Sequence, residues 1–278
     1  MPVDVVFVRH GRSEGNEARE QSKEGDNSSY TEEFRARRNR QWRLTDLGIA
    51  QARAAGAWIQ KDVRPTFSRY YTSEYLRARE TAAYLNLPDA RWMQDILLRE
   101  RSWGRADFVM PESERYELFS AELAARREDP CYWRPPEGES LAEVCLRVER
   151  VLDGLRRTRP GGSCVVVTHE DVMWAAQFVL EGMTQDEWRE RLFSDDPCDK
   201  IHNGQVMHYT RRDPETGRRS DTLEWVRSVC PWDPSRSNDA WRHIEVRNFS
   251  NAELLDSLAK TPRLIPGRPF TLPGEQSR

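Results

Sequence analysis

Short apolar runs alternate along the chain with stretches whose apolar residues recur every three or four positions. Interleaved strand and helix periodicities of this kind predict an α/β fold: a three-layer α/β/α sandwich around a mostly parallel central sheet. Val3 to Val8 reads as the first strand, and Phe67 to Tyr71, Arg91 to Leu97 and the run from Cys164 to Thr168 read as three more. A helix is predicted after Leu44-Thr45-Asp46, with Leu47, Ala50, Ala54 and Trp58 on one face. Thr72-Ser73 offers an N-cap for a second helix carrying Tyr75, Leu76, Arg79, Ala82 and Ala83. Pro111 starts a charged helix to about Arg127. The clearest helix follows the capping box Ser140 and Glu143, with Leu141, Val144, Val148, Val151 or Leu152, and Leu155 at helical spacing, and Pro160-Gly161-Gly162 ends its connection to the next strand. Asp171 to Leu180 and a segment capped by Thr184 and Glu187 follow. Gly204 to Tyr209 and Thr222 to Ser228 are expected to pair as a hairpin across Asp213-Pro214-Glu215-Thr216-Gly217.

The 278 residues, 37% hydrophobic and 32% charged, suit one globular domain with elaborations or at most two small ones. A net charge of -3 gives no basic field, so neither nucleic acid nor a membrane surface is an expected partner. No apolar run approaches the roughly 20 residues that span a bilayer, and no secretory signal is recognisable, so a cytoplasmic location is expected. Five cysteines without a Cys-x-x-Cys pair point to neither a disulfide framework nor structural zinc, and Cys145 and Cys164 sit where small hydrophobes belong.

The chemistry gathers at strand ends. Arg9-His10-Gly11 follows the apolar run Val5 to Val8, and Thr168-His169 closes the run that begins at Cys164. Ligands of parallel sheets bind along the edge formed by the C-terminal ends of the strands, so His10, His169 and Arg77, in the first turns after Thr72-Ser73, are expected to converge. Two imidazoles with the guanidiniums of Arg9 and Arg77 suit a tetrahedral dianion, since arginine offers permanent charge and bidentate donors. The helix after each strand adds free N–H groups and a positive dipole end.

Arg9-His10-Gly11 with Ser13 and Asn16, Thr72-Ser73 with Leu76-Arg77-Ala78 and Thr81-Ala82, Glu100 with Trp103-Gly104, Glu137-Gly138-Glu139-Ser140, and Val167-Thr168-His169 stand in one order. In that order they resemble the histidine phosphatase superfamily, phosphoglycerate mutase-like branch, over about residues 3 to 210. The domain is therefore expected to span 1–210, with an insertion at about 17–43, and residues 211–278 to form a C-terminal extension packed on it. The resemblance implies a metal-independent phosphatase that hydrolyses phosphomonoesters through a phosphohistidine on His10. Catalytic residues would be His10, Glu100, His169, Arg9 and Arg77. Arg9, Ser13, Asn16, Arg77, His169 and Glu170 would bind a small phosphorylated substrate or a phosphoprotein, with no cofactor and no metal. A phosphomutase and a catalytically impaired phospho-ligand-binding protein are the alternatives.

Glu100 matches the general-acid position, although Arg99 and Arg101 would lower its pKa while burial would raise it. Glycine usually follows the second histidine in this branch, whereas this chain reads His169-Glu170-Asp171. Glu170 or Asp171 is thus a rival proton donor, or simply a residue at the positive end of the next helix. The insertion, with Arg35, Arg37, Arg38, Arg40 and Arg43 beside Tyr30, Phe34 and Trp42, reads either as a solvated face or as a lid favouring a substrate with additional negative charge. His202, His208 and His243 read as packing or hydrogen-bonding residues, and Arg77 pairing with Glu74 or Glu80 is the plain alternative to a site role. The tryptophan-rich tail, ending in a helix capped near Ser250, is expected to cover a sheet edge or make a homodimer contact.

Overall fold

A computed structural model of the chain describes residues 1–158, 161–265 and 267. Pro160 of the expected turn, and residues 266 and 268–278 of the extension, lie outside the described residues. The elements are β1 (Asp4–Arg9), α1 (Glu14–Lys23), α2 (Glu32–Ala36), α3 (Asp46–Asp62), β2 (Arg69–Thr72), α4 (Leu76–Tyr84), β3 (Trp92–Gln94), α5 (Glu112–Leu118), α6 (Ser120–Glu128), α7 (Leu141–Thr158), β4 (Ser163–Thr168), α8 (Glu170–Glu181), α9 (Gln185–Phe193), β5 (Val206–Thr210), β6 (Trp225–Val229), β7 (Arg242–His243) and α10 (Asn251–Ser257). They fall into two compact units, one of Met1–Glu245 and one beginning at Val246. Within the second, Ser250 and Glu253 form the capping box of α10.

Among the described residues the sheet has seven strands in the order β3-β2-β4-β1-β5-β6-β7. The first four run parallel, and β5, β6 and β7 continue antiparallel from β1. The expected hairpin is thus the pair β5 and β6, with Asp213 closing its turn by accepting from the N–H groups of Glu215 and Thr216. Side chains alternate across the pleat. Val5 and Phe7 join Cys164, Val166, Met207 and Tyr209 in the core under α7 and α8, while Val6 and Val8 join Val165, Val167 and Val206 under α3 and α4. Both faces are covered, which is the three-layer sandwich the periodicity predicts.

The expected strand Arg91 to Leu97 shortens to β3, because Asp95 caps a 3-10 turn over Ile96–Leu98, and the elements differ from expectation in three further places, each for a local reason. The buried face of α3 is Gly48, Gln51, Ala52, Ala55, Gly56 and Ile59, whereas Leu47 and Ala50 are exposed. The predicted stripe is off by one residue because this helix packs glycine against backbone. A Cβ on Gly56 would lie 2.0 Å from the Leu85 carbonyl oxygen, and one on Gly48 would lie 2.1 Å from that of Arg12. A hydrophobicity pattern overlooks such contacts because glycine carries no apolar side chain. The charged helix divides into α5 and α6 at Phe119, whose φ of -128° and ψ of 29° leave the helical region while its ring is buried. Thr72-Ser73 does not cap α4: Tyr75 is its N-cap, without a side-chain hydrogen bond.

Gly56→Ala is expected to cost about 1–3 kcal/mol by overpacking against Leu85. Gly154→Ala, inside α7 where a methyl meets nothing within 4 Å, should gain about 0.5–1 kcal/mol. Urea unfolding midpoints of the two variants should therefore move in opposite directions, and a stabilised Gly56→Ala would refute the close helix-to-backbone packing.

Candidate active site

The pairing of β1 with β4 sets Arg9 beside Thr168, so the next residue of each strand, His10 and His169, stand side by side. Their ring centroids are 5.1 Å apart, and both side chains are buried, at 2% and 0% exposure. His10 N–H donates to the Thr168 carbonyl at 3.0 Å, which continues the ladder one step past the strand end. His10 Nδ1 lies 2.7 Å from the Gly11 carbonyl oxygen, an atom that only accepts. Nδ1 therefore carries the proton, and Nε2 keeps its lone pair and accepts from Arg77 Nε at 3.1 Å. His169 Nε2 meets Ser73 Oγ at 2.8 Å, and its Nδ1 is buried without a hydrogen-bond partner. Ser73, expected as a cap, is thus a site residue.

Both imidazoles are held below the usual histidine pKa, first by burial and then by the charge of Arg77. Each is a neutral base near pH 7. The motif residues around His10 act as supports. Gly11 N–H donates to Thr81 Oγ1, which donates to the Arg77 carbonyl. Asn203 Nδ2 donates to the His10 carbonyl at 3.1 Å, and to Asn16 Oδ1. Ser13 and Asn16 form a capping box at the start of α1, and both line the pocket.

Arg77 is 4% exposed and ignores Glu74 and Glu80. Its Nη1 donates to the backbone oxygen and to Oδ1 of Asn39, each at 2.8 Å, while Glu80 accepts from Arg43 instead. Arg9 donates to the Ile201 carbonyl through Nη1 at 2.5 Å and pairs with Glu170 through Nη2 at 2.7 Å. Its Nε is buried without a partner.

Glu100 lines the same pocket with Glu170 and Asp171. Burial, and then the neighbouring carboxylate of Asp171, push the Glu100 pKa up to about 8, and the charge of Arg77 only partly opposes them. The two adjacent arginines are turned away: Arg99 pairs with Glu139, and Arg101 donates to the carbonyls of Glu139 and Trp133. Arg101 reaches Glu100 only through its backbone N–H, at 2.9 Å. Burial also raises the Asp171 pKa. Glu170 and Asp171 open α8, whose N-cap is His169, so both stand at its positive end as well as on the pocket wall.

Trp103 and residues that the sequence pattern does not single out for the site complete the wall, the latter being Gly15, Arg19, Asn39, Trp42, Phe108, Arg126, Trp174 and Leu192. The insertion thus contributes to the pocket, but not through its arginine run. Arg35 pairs with Glu114, Arg37 with Glu14 and Glu33, and Arg43 with Glu80. Trp103 was marked by its place in a motif. Asn39 and Arg126 carried no signal beyond polarity in charged stretches. His202 donates through Nε2 to the Pro197 carbonyl, His208 meets Asp4 at 3.2 Å, and His243 packs on Trp225. Among the described residues no group of three or more His, Cys, Asp or Glu side chains could hold a metal ion, and no helix is long and apolar enough to cross a membrane.

Residues 5–200 match the family model of the histidine phosphatase superfamily (branch 1). A 2,3-bisphosphoglycerate-dependent phosphoglycerate mutase of Methylobacterium radiotolerans is 30% identical over 190 residues, covering 65% of this chain and 80% of its own. Among solved structures, a mycobacterial glucosyl-3-phosphoglycerate phosphatase in complex with inorganic phosphate aligns with a TM-score of 0.57 at 21% identity, over 74% of this chain and 89% of its own. The α-ribazole phosphatase of Shigella flexneri aligns with a TM-score of 0.57 at 18% identity, over 79% and 96% respectively. These structural likenesses establish the shared fold.

The imidazole signals of His10 and His169 should not titrate near pH 6.5 in 15N-detected NMR, and His10 should show its proton on Nδ1. In Arg77→Ala the His10 pKa should rise, because a neighbouring positive charge is gone. Titration of wild-type His10 at the free-histidine value would contradict the buried, neutral site.

Proposed function

Because the chain belongs to the histidine phosphatase superfamily, branch 1, we propose that it is a metal-independent phosphomonoesterase acting through a phosphohistidine on His10. The observation that carries this reading is the state of His10: Nδ1–H donates to the Gly11 carbonyl, so Nε2 is the unprotonated ring nitrogen, and the hydrogen bond it accepts from Arg77 Nε gives way as phosphorus takes the lone pair. A neutral imidazole needs no base to activate it.

In the first step Nε2 attacks phosphorus, the P–N bond forms, and the bond to the leaving oxygen breaks. The guanidiniums of Arg9 and Arg77, with His169, take up the charge on the equatorial oxygens. Glu100 delivers its proton to the departing alkoxide; with a pKa of about 8 it holds that proton at neutral pH. The resulting carboxylate then takes a proton from water as the water oxygen attacks the phosphohistidine, which frees phosphate and returns Glu100 to its acid form. Asp171 supports this role by raising the Glu100 pKa. Arg19 and Arg126 line the pocket beyond the groups that hold His10, and Arg126 Nε is buried without a partner, which supports a small substrate with an anionic group besides the phosphoryl.

A phosphomutase shares the first step and returns the phosphoryl group to the product instead of to water. The 30% identity to a phosphoglycerate mutase favours keeping this reading in view, while the stretch from Glu100 to Val109 lacks the tyrosine-glycine and lysine-rich continuation of glycolytic mutases. We assign the catalytic domain to residues 1–210, supported by the family match over 5–200, with the extension adding β6 and β7 to its sheet. Five free cysteines support a reducing, cytoplasmic setting.

Phosphate release from an aryl phosphate should survive a chelator and fall about a thousand-fold or more in His10→Ala. Release that required a metal, or that persisted in the variant, would overturn the phosphohistidine route, and retention of phosphate on product from a bisphosphate would select the mutase. The acid form of Glu100 is the active one in the first step, so kcat/KM should decline as pH rises through about 8. In Glu100→Gln that decline should vanish with an overall loss of about 10²–10⁴. A decline that persisted in the variant would move the proton donor to Asp171 or Glu170.

A further inference from the structure

A polar chain runs from a wall of the pocket to the nucleophile. Asn39, in a short 3-10 turn at Asn39–Gln41, donates through Nδ2 to both carboxylate oxygens of Asp107, at 2.8 and 3.1 Å. Asp107 is also fixed by the Phe108 N–H, at 2.7 Å. On its other side Asn39 accepts twice from Arg77 Nη1, through Oδ1 and its backbone oxygen. Arg77 Nε then donates to His10 Nε2. Each bond has an unambiguous direction, because a carboxylate only accepts and a guanidinium only donates. The order of the chain also settles which way the Asn39 amide faces.

We propose that Asn39 is the positioning residue of this site: it aligns Arg77 beside the nucleophile, where its guanidinium can hold the oxygens of the incoming phosphoryl group, and Asp107 fixes the Asn39 amide in turn. The inference rests on the phosphohistidine reading of His10. An arginine needs such a guide. Its side chain has several rotatable bonds, and holding it in one orientation has an entropic cost unless its donors are already committed. The two bonds to Asn39 commit Nη1 and set the guanidinium beside His10, which leaves Nη2, and Nε once His10 turns its lone pair to phosphorus, for the substrate oxygens. The pocket wall itself is anchored around this relay. Arg19 pairs with Glu112 at 2.7 Å and stacks on Phe108, Glu112 N–H donates to Ser22 Oγ, and Arg35 pairs with Glu114. Residues 19–39 and 107–114 therefore clasp each other, and Asn39 is where the clasp touches the chemistry. The insertion thus serves alignment through one amide and not through its arginine run.

The test is a swap, read by turnover and by the dissociation constant for orthophosphate. Asn39→Asp sets one carboxylate against another and should lower kcat/KM about 10–100-fold, in keeping with the cost of misplacing a catalytic group by an ångström. Asn39→Ala, which keeps the backbone acceptor, should weaken orthophosphate binding and lower kcat/KM less steeply. The double variant Asn39→Asp with Asp107→Asn restores an acceptor toward Arg77 and a donor–acceptor pair at 107. It should recover most of the lost kcat/KM and of the phosphate affinity. Wild-type kcat/KM and phosphate affinity in Asn39→Ala, or a double variant no better than Asn39→Asp while thermal unfolding shows both folded, would overturn the proposal. Should Asn39→Asp not fold, the Asn39→Ala affinity decides alone. Failure of the phosphohistidine reading is distinguishable, since wild-type turnover would then not depend on His10, while phosphate binding would still report on Asn39.

Discussion

The site depends on one register. Parallel pairing of β1 with β4 sets Arg9 opposite Thr168, and from that alignment the two following histidines share one edge of the sheet. A slip by one residue would turn His10 or His169 to the other face and separate imidazoles that now lie 5.1 Å apart. The alternating burial of Val5, Val6, Phe7 and Val8 between two cores makes such a slip costly, because every side chain would exchange its neighbours. Packing far from the pocket thus secures its geometry. The Asn203 side chain and the Gly204 N–H, both bonded to the His10 carbonyl, hold the strand end from the third direction.

Burial then assigns protons. The pocket gathers guanidiniums and carboxylates around His10, with His169 fully buried against that imidazole, and desolvation acts on each group in the sense that removes charge. It lowers the pKa of His10 and His169, where Arg77 adds to the effect, and it raises that of Glu100 and Asp171, where arginines oppose it. The result at neutral pH is an unprotonated His10 and a protonated Glu100 lining one pocket, the pairing that the proposed transfer of a phosphoryl group to nitrogen needs. Buried neutral imidazoles also link stability to pH. Their folded pKa lies below the unfolded value, so the unfolded chain binds more protons as pH falls below about 6.5 and the native state loses stability there.

The fold was largely legible, because two periodicities and several caps agree with one another. The capping boxes at Ser140 and Thr184 start α7 and α9 where the pattern placed them. Legibility failed where backbone, not side chain, makes the contact. The glycines of α3 carry no apolar signal yet define its buried face. In the site, residues attached to strand ends were readable, since topology alone brings His10, His169 and the helix bearing Arg77 together. Asn39 and Arg126 were not, because they arrive from segments whose position is set by long-range clasps such as Arg19 with Glu112. Of the two readings of the arginine run the solvated face fits: Arg35, Arg37 and Arg43 meet glutamates, whereas the guanidiniums of the pocket come singly from separate elements.

The acid that follows His169 is the remaining departure from the usual pattern, and its geometry bears on whether the site turns substrate over. A free carboxylate there would repel a phosphoryl group. Glu170 is instead committed to Arg9 at 2.7 Å, and its side chain is 41% exposed against 12% for the arginine. An ion pair with one partner in solvent is worth only about 0–1 kcal/mol, so little is lost when Glu170 swings outward into water. Arg9 stays, held by the Ile201 carbonyl. A phosphoryl dianion carries more charge than the carboxylate it replaces and offers several oxygens to the same guanidinium. On the proposed phosphatase reading Glu170 serves as an exchangeable counter-ion, which neutralises Arg9 in this structure and would give way to a phosphoryl group. Its negative charge is thus compatible with turnover and lends no weight to a site that only binds.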